Sequence, residues 1–374
     1  MEKEHPKNAK DVILSDLTDI VSRLEKEFLE MEGDTLLCVG GAGFLGYYLV
    51  QSILFYNETK AKKPIQLFVF DNYIRGIPEW LKNCAEKPHI VLKNHDITHP
   101  LPDDSPDYDW IIHAASIASP IFYRRHPIET MDANVEGLRN LLNYSKNQAA
   151  REKSVSGFLF FSTSEIYGDP TPDAIPTPET YRGLVSCTGP RACYDESKRY
   201  GETLCVNFAQ QHQIPVTIAR PFNNFGPGLK ISDRRVIPDF ARNIFEGEDI
   251  VLLSDGSPTR TFCYIADAIT GYYKTLVNGT PGEPYNIGVE KPEISMYELA
   301  EKMAQLGREH FGYTGNVIKQ KSTDYNYLVD NPNRRCPIIK KAIENIGYRP
   351  KWTIDDALLK TMIWYSENLK AADL

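Results

Sequence analysis

"LLCVGGAGFLGYYLV", Leu36 to Val50, runs four apolar residues into a turn that holds Gly40, Gly43 and Gly46, then leaves it as an apolar helical pattern. Glycines so placed allow a tight turn and a close approach of the backbone to a pyrophosphate, whose charge sits at the helix N-terminus. A glycine triplet alone is a weak signal. Here it follows a strand pattern and opens a helix pattern. It is also answered by Asp71 at the end of the next apolar run, "PIQLFVFD", 25 residues past Gly46. A carboxylate at that point accepts hydrogen bonds from a ribose diol and repels a 2′-phosphate, which predicts NAD rather than NADP. Arg75 is the one nearby charge that argues the other way. A ligand-free glycine turn is the bland alternative, and the combined context disfavours it.

Working outward, "TLLCVGG", "PIQLFVFD", "HIVLKNHD", "DWIIHAAS", "GFLFFSTS" and "VTIARPF" read as buried strands. Helical stretches such as "NVEGLRNLLNYSKNQ" and "ESKRYGETLCVNFAQQH" lie between them. Continuous apolar strands alternating with helices predict an α/β fold with a Rossmann-type doubly wound parallel sheet. Strand carboxyl ends line the ligand crevice of such sheets. Asp96 and Ile97 at the end of the third strand, and Ala114, Ala115 and Ser116 at the end of the fourth, are therefore cofactor candidates. His113 reads as a structural histidine rather than a catalyst. Residues 32–220 form the expected NAD-binding domain, with returns near 262–290. Beyond residue 220 the rhythm loosens, and 221–261 with 291–374 are expected to form a smaller, discontinuous α/β substrate-binding lobe.

Residues 1–31 are expected to be a helical extension. In it, "DLTDIVSRLEKEFLEM" carries an apolar stripe at helical spacing, to be docked on its own domain or on a second subunit. The formal charge of −8 argues against a nucleic-acid footprint. Seven dispersed cysteines, without CxxC or metal-like spacing, suit reduced thiols in a cytoplasm and predict no metal. No apolar run approaches a membrane span, and the N-terminus shows no signal-peptide core.

The fifth strand, in "FFSTSEIYGDP" (Phe160–Pro170), ends on Thr163, Ser164 and Glu165, and an unpaired buried charge there would be costly. Downstream, "GPRACYDESKRYGET" places Tyr194 and Lys198 four apart, on one helical face. A phenol titrates near pH 10 and needs help to act as a base at neutral pH. A lysine one turn away, and a nicotinamide cation, would both favour the phenolate.

On "GGAGFLG", Asp71, "HAAS", "STSEIYGDP", "YDESK", "RPFNNFGP", "TRTFCYIAD" and "YNIG", the chain resembles the extended short-chain dehydrogenase/reductases, the NAD-dependent epimerase/dehydratase family. The resemblance covers about residues 34–366. It implies that Tyr194 takes a proton from the sugar 4-hydroxyl as hydride passes to NAD, with Thr163 sharing that hydrogen bond and Lys198 holding the nicotinamide ribose. It implies cofactor contacts also from Phe44, Leu45 and Asn72, and substrate contacts from Pro120, Tyr123, Asn223, Arg235 and Arg260. Ser164-Glu165, "ASPIFYRRHP" and "NRRCPIIKKAIENIGYRPKW" are similar to segments of UDP-glucuronate decarboxylases, where Arg335 would face the sugar and assist protonation at C5. Ser-Glu also occurs in some dehydratases. Two departures stand out: Ser197 where the resemblance expects glycine, and a shorter loop at "DNYIRGIPEW". The implied activity is UDP-xylose formation, on a UDP-sugar and in a homodimer. A 4,6-dehydratase or a uronate 4-epimerase is the alternative, and a non-catalytic nucleotide-binding protein a remote one.

Overall fold

A computed structural model describes residues 6–320, 329 and 332–369. Two helices come first, α1 (Ala9–Arg23) and α2 (Glu25–Glu30), followed by β1 (Thr35–Val39), α3 (Phe44–Thr59), β2 (Gln66–Asp71), α4 (Glu79–Cys84), β3 (Ile90–Asn94) and β4 (Trp110–His113). Next are α5 (Pro120–Arg125), α6 (Pro127–Ala149), β5 (Gly157–Phe161), α7 (Ala192–His212) and β6 (Val216–Pro221). The pieces then shorten: β7 (Asn224–Phe225), α8 (Val236–Glu246), β8 (Ile250–Leu252), β9 (Thr259–Arg260) and β10 (Cys263–Tyr264). The chain closes through α9 (Ile265–Asn278), β11 (Pro284–Ile287), β12 (Ile294–Ser295), α10 (Met296–Phe311), β13 (Val317–Lys319), β14 (Arg334–Arg335), α11 (Lys340–Ile346) and α12 (Ile354–Asn368).

Seven strands form one parallel sheet in the order β11-β6-β5-β4-β1-β2-β3. The order reverses between β1 and β4, which is the switch point where such sheets open a ligand crevice. Period-two alternation explains why both faces are apolar. Leu36, Cys38, Leu159 and Phe161 pack into the core shared with α1, α3, α9 and α12. Leu37, Val39, Phe158 and Phe160 face the core with Leu138 and Leu142 of α6 and Leu204 of α7. All five residues of β5 are therefore buried, and the six apolar runs of the sequence are six of the seven strands. "YNIG" supplies the seventh, β11. The short strands pair among themselves: β10 with β7, β12-β9-β14, and β13 with β8.

Three local readings change. β3 stops at Asn94 and β4 at His113, so Asp96, Ile97 and Ala114 to Ser116 lie in the loops that follow these strands. α6 begins at Pro127, earlier than "NVEGL", because proline at the first helical position costs no hydrogen bond. The amphipathic N-terminal helix is two helices, broken at Leu24.

That N-terminal stripe docks on its own chain. Val12, Ile20, Val21, Leu24 and Phe28 are buried. Asp16 of α1, fully buried, accepts hydrogen bonds from Tyr48 of α3 and Tyr264, both at 2.6 Å, and an ion pair from Lys360 of α12. Arg23 pairs with Asp267 at 2.7 Å. The extension thereby ties the glycine-turn helix to the last helix of the chain. No helix among the described residues is long and apolar enough to cross a membrane.

Candidate active site

The glycine turn is built for close approaches. Gly40 sits at φ +84°, and a Cβ there would lie 2.4 Å from the Ala115 nitrogen. A Cβ on Gly46 would strike the Gly41 carbonyl at 2.2 Å. Gly43, which caps α3 without a side-chain hydrogen bond, differs: its Cβ would meet only the Gly40 oxygen, at 3.4 Å. Open space at Gly43, in front of the helix N-terminus, is the room a pyrophosphate needs. Asp71 accepts from the Ala42 and Tyr73 amides at 3.0 and 2.9 Å, which anchors the turn to the end of β2, and burial raises its pKa. Ser116 adds a buried hydroxyl with no hydrogen-bond partner among the described residues. These features fit a bound dinucleotide. Asp96 holds Asn72 at 3.1 Å and the Thr98 amide at 3.0 Å, bracing the loops on either side. Arg75 is engaged elsewhere, 3.6 Å from Asp233 and over the Phe122 ring.

One cleft of about 1100 Å³ brings the expected residues together. Gly40, Gly43, Phe44, Leu45, Gly46, Asp71, Asn72, Asp96, Ile97 and Ala114 to Ser116 line one part of it. Pro120, Tyr123, Thr163, Ser164, Glu165, Tyr194, Lys198, Asn223, Arg235, Arg260 and Arg335 line the rest.

After β5 the chain enters a 3-10 turn, Ser164–Tyr167, capped by the Thr163 hydroxyl, which accepts from the Glu165 amide at 3.2 Å. Tyr194, in the first turn of α7, stacks on Tyr123 with ring centroids 5.2 Å apart and planes 10° from parallel. Burial pushes the Tyr194 phenol up to about 12, against a hydrogen bond from Thr163. Lys198 does share its face, with Nζ 5.8 Å from the Tyr194 ring centre, but it donates to the Phe161 carbonyl at 2.7 Å, and burial lowers it to about 7. Burial thus works against the charge that the spacing argument asks of Lys198. His113 is a neutral core residue: burial, with the Lys198 charge beside it, brings it down to about 3.

Glu165 answers the burial question. Arg335 pairs with both of its carboxylate oxygens, and Arg191 pairs with one of them. Burial alone would raise the Glu165 pKa, but the two guanidiniums outweigh it and hold the carboxyl at about 2. Arg191 was missing from the sequence-based set. Its signal was its place three residues before Tyr194, on the same helical face. The other two arginines expected at the substrate are anchored by protein groups. Arg260 is buried and donates to the carbonyls of Thr259, Pro332 and Asn333, and Arg235 pairs with Asp233 at 2.9 Å. Asn223, at φ +40°, donates to the Thr261 carbonyl at 2.8 Å. Ser197 joins helices: it donates to the Cys193 carbonyl at 2.6 Å and accepts from Asn134 of α6 at 2.9 Å. No metal-ligating cluster occurs among the described residues.

The model of the NAD dependent epimerase/dehydratase family matches residues 36–288. The chain is 38% identical over 323 residues to UDP-glucuronic acid decarboxylase 3 of Arabidopsis thaliana, covering 86% of each. It is 32% identical over 368 residues to UDP-glucuronic acid decarboxylase 1 of Xenopus tropicalis, covering 96% of this chain and 80% of the relative. Among solved structures, an epimerase from Methanothermobacter thermautotrophicus aligns with a TM-score of 0.77 at 24% identity, over 94% of this chain and 98% of its own. The dTDP-glucose 4,6-dehydratase DesIV of Streptomyces venezuelae, with NAD bound, aligns at 0.75 and 24% identity, over 89% and 97%. These two likenesses speak to the fold alone. Family model and relatives together cover the glycine turn, the Thr-Ser-Glu strand end and the Tyr-Lys helix, and the chain belongs to the NAD dependent epimerase/dehydratase family of enzymes.

Proposed function

We propose that this enzyme decarboxylates UDP-glucuronate to UDP-xylose, oxidising and then re-reducing C4 of the sugar. The carrying observation is the Glu165 carboxylate bracketed by Arg335 and Arg191 in the same cleft as Tyr194 and Thr163. It is supported by the 32–38% identity to UDP-glucuronic acid decarboxylases over most of the chain.

When bound, NAD supplies the acceptor for the C4 hydride and later returns it. Tyr194 Oη takes the proton of the 4-hydroxyl, and Thr163 Oγ1 shares that hydrogen bond. With its phenol pushed to about 12 by burial, Tyr194 needs positive charge beside it to lower that pKa and populate the phenolate that acts as the base. Lys198 orients the ribose of the cofactor. Ser164 and Glu165 position the sugar carboxylate. The resulting β-keto acid breaks its C5–C6 bond, and the electron pair passes into the C4 carbonyl as CO₂ leaves. A proton from solvent reaches C5 with the assistance of Arg335, and Tyr194 returns its proton to O4. Arg235, Arg260 and Asn223 serve the nucleotide diphosphate, for which the guanidinium fork is suited.

The enzyme works as a cytoplasmic homodimer on this reading. Incubation with NAD and UDP-glucuronate tests it. CO₂ with a UDP-pentose is the expected result. UDP-galacturonate as product, or no turnover of any uronate, would overturn it in favour of a 4-epimerase or a 4,6-dehydratase.

A further inference from the structure

Glu165 and Arg335 meet in the cleft from segments 170 residues apart in the chain, and a second, buried chain of hydrogen bonds joins those segments. Glu165 rides on the 3-10 turn whose last residue is Tyr167. The Tyr167 hydroxyl donates to Asn286 Oδ1 at 2.7 Å. Asn286, on β11 and fully buried, donates from Nδ2 to the carbonyls of Thr177 and Ile338 at 3.0 and 3.1 Å. The Thr177 amide in turn donates to the Cys336 carbonyl at 2.8 Å, and the Thr177 carbonyl accepts from the Ile338 amide at 2.9 Å. The residue before Cys336 is Arg335. On its other side the Tyr167 hydroxyl accepts from Arg220 Nη1 at 2.7 Å, and Arg220 forks onto Glu202 at 2.8 and 2.6 Å. Glu202 accepts from Ser162, the residue before Thr163. Every one of these donors is used, and Tyr167, Thr177 and Asn286 are at most 2% exposed.

We propose that Tyr167 and Asn286 are positioning residues that set where Glu165 stands relative to Arg335. They would govern CO₂ loss and C5 protonation while leaving C4 oxidation to Thr163, Tyr194 and Lys198. The inference rests on the decarboxylase reading. Buried, fully satisfied polar networks fix one geometry, and a small misplacement of reacting groups costs rate steeply.

The test uses NAD-loaded full-length protein mixed with UDP-glucuronate in single turnovers, following NADH absorbance and CO₂ together. Tyr167→Phe removes the shared hydroxyl. Asn286→Asp keeps the acceptor for Tyr167 but deletes the donor to Thr177 and Ile338. In each variant that melts near wild type and retains NAD, NADH should form within about threefold of the wild-type rate while CO₂ release falls about tenfold or more. NADH then accumulates transiently. If Tyr167→Phe does not fold, Asn286→Asp carries the test alone. Equal losses in both signals, or no loss in either, overturn the positioning role. Wild-type protein that releases no CO₂ sinks the decarboxylase reading itself, and the positioning role falls with it.

Discussion

Arg335 offers both terminal nitrogens to the two carboxylate oxygens of Glu165, a residue 170 positions earlier in the chain. With Arg191 on the same carboxylate, this arrangement places three charges in a cleft wall where each side chain is less than one-fifth exposed. Breaking such a group from one side leaves the remaining charges unpaired, which is the costly direction.

Glu165→Gln should therefore lose both function and stability. Turnover of UDP-glucuronate should fall by about 10²-fold or more, and the ligand-free protein should lose about 3 kcal/mol at neutral pH. The carboxyl is held at about 2, below its ordinary 4.5. Its contribution is thus fully present above pH 4.5 and is lost as pH falls toward 2. Urea denaturation of the two proteins should show a gap that narrows below pH 4.5. A gap independent of pH would refute the ion-pair account.

Tyr194→Phe should abolish turnover by about 10³-fold while NAD still binds. Because burial lifts this phenol to about 12, the difference in phenolate absorbance between wild type and variant should appear only in strong alkali without NAD. It should move to lower pH when NAD is bound. A phenolate already present near neutrality in the NAD-free protein would contradict this.

The glycine turn separates two kinds of damage. Gly40→Ala forces a side chain into the left-handed region and into Ala115, so it should destabilise the fold by about 1–2 kcal/mol or more. Gly43→Ala meets no backbone obstacle closer than 3.4 Å. It should melt like wild type yet bind NAD about tenfold more weakly, since its methyl enters the pyrophosphate space. Calorimetric titration and thermal melting distinguish the two.

Ser197→Gly should leave catalysis intact and weaken the fold. It removes the hydrogen bond to Asn134 and puts glycine inside α7, together worth about 1–2 kcal/mol. Unchanged stability would mean that Ser197 does not tie α6 to α7.

Lys360→Met would strand the Asp16 carboxylate with two phenols. Burial already raises that carboxyl, and Lys360 is the main opposing influence. Loss of about 3 kcal/mol is expected at pH 8. A raised acid favours its protonated form in the folded state, so the deficit should shrink toward pH 5. Denaturant midpoints at the two pH values check it.

The local patterns in the chain were sufficient for the sheet and for most of the residues that come to line the cleft. Strands covered on both faces must be apolar along their whole length, so "LLCV" and "GFLFF" announce themselves without knowledge of their neighbours. A dinucleotide turn needs glycine at fixed offsets, and a phenol and an ammonium on one face need a spacing of four. Such requirements are met within a few residues of chain and can be read there.

What the tertiary structure decided lies between segments far apart in sequence. It set which arginines close on Glu165, that the N-terminal stripe is buried against α3, α9 and α12, and that Asp96 belongs to a loop. It also set the downward pull on the Lys198 pKa, because a pKa depends on how much water is removed and which charges arrive. Neither quantity exists until the chain has closed around the group.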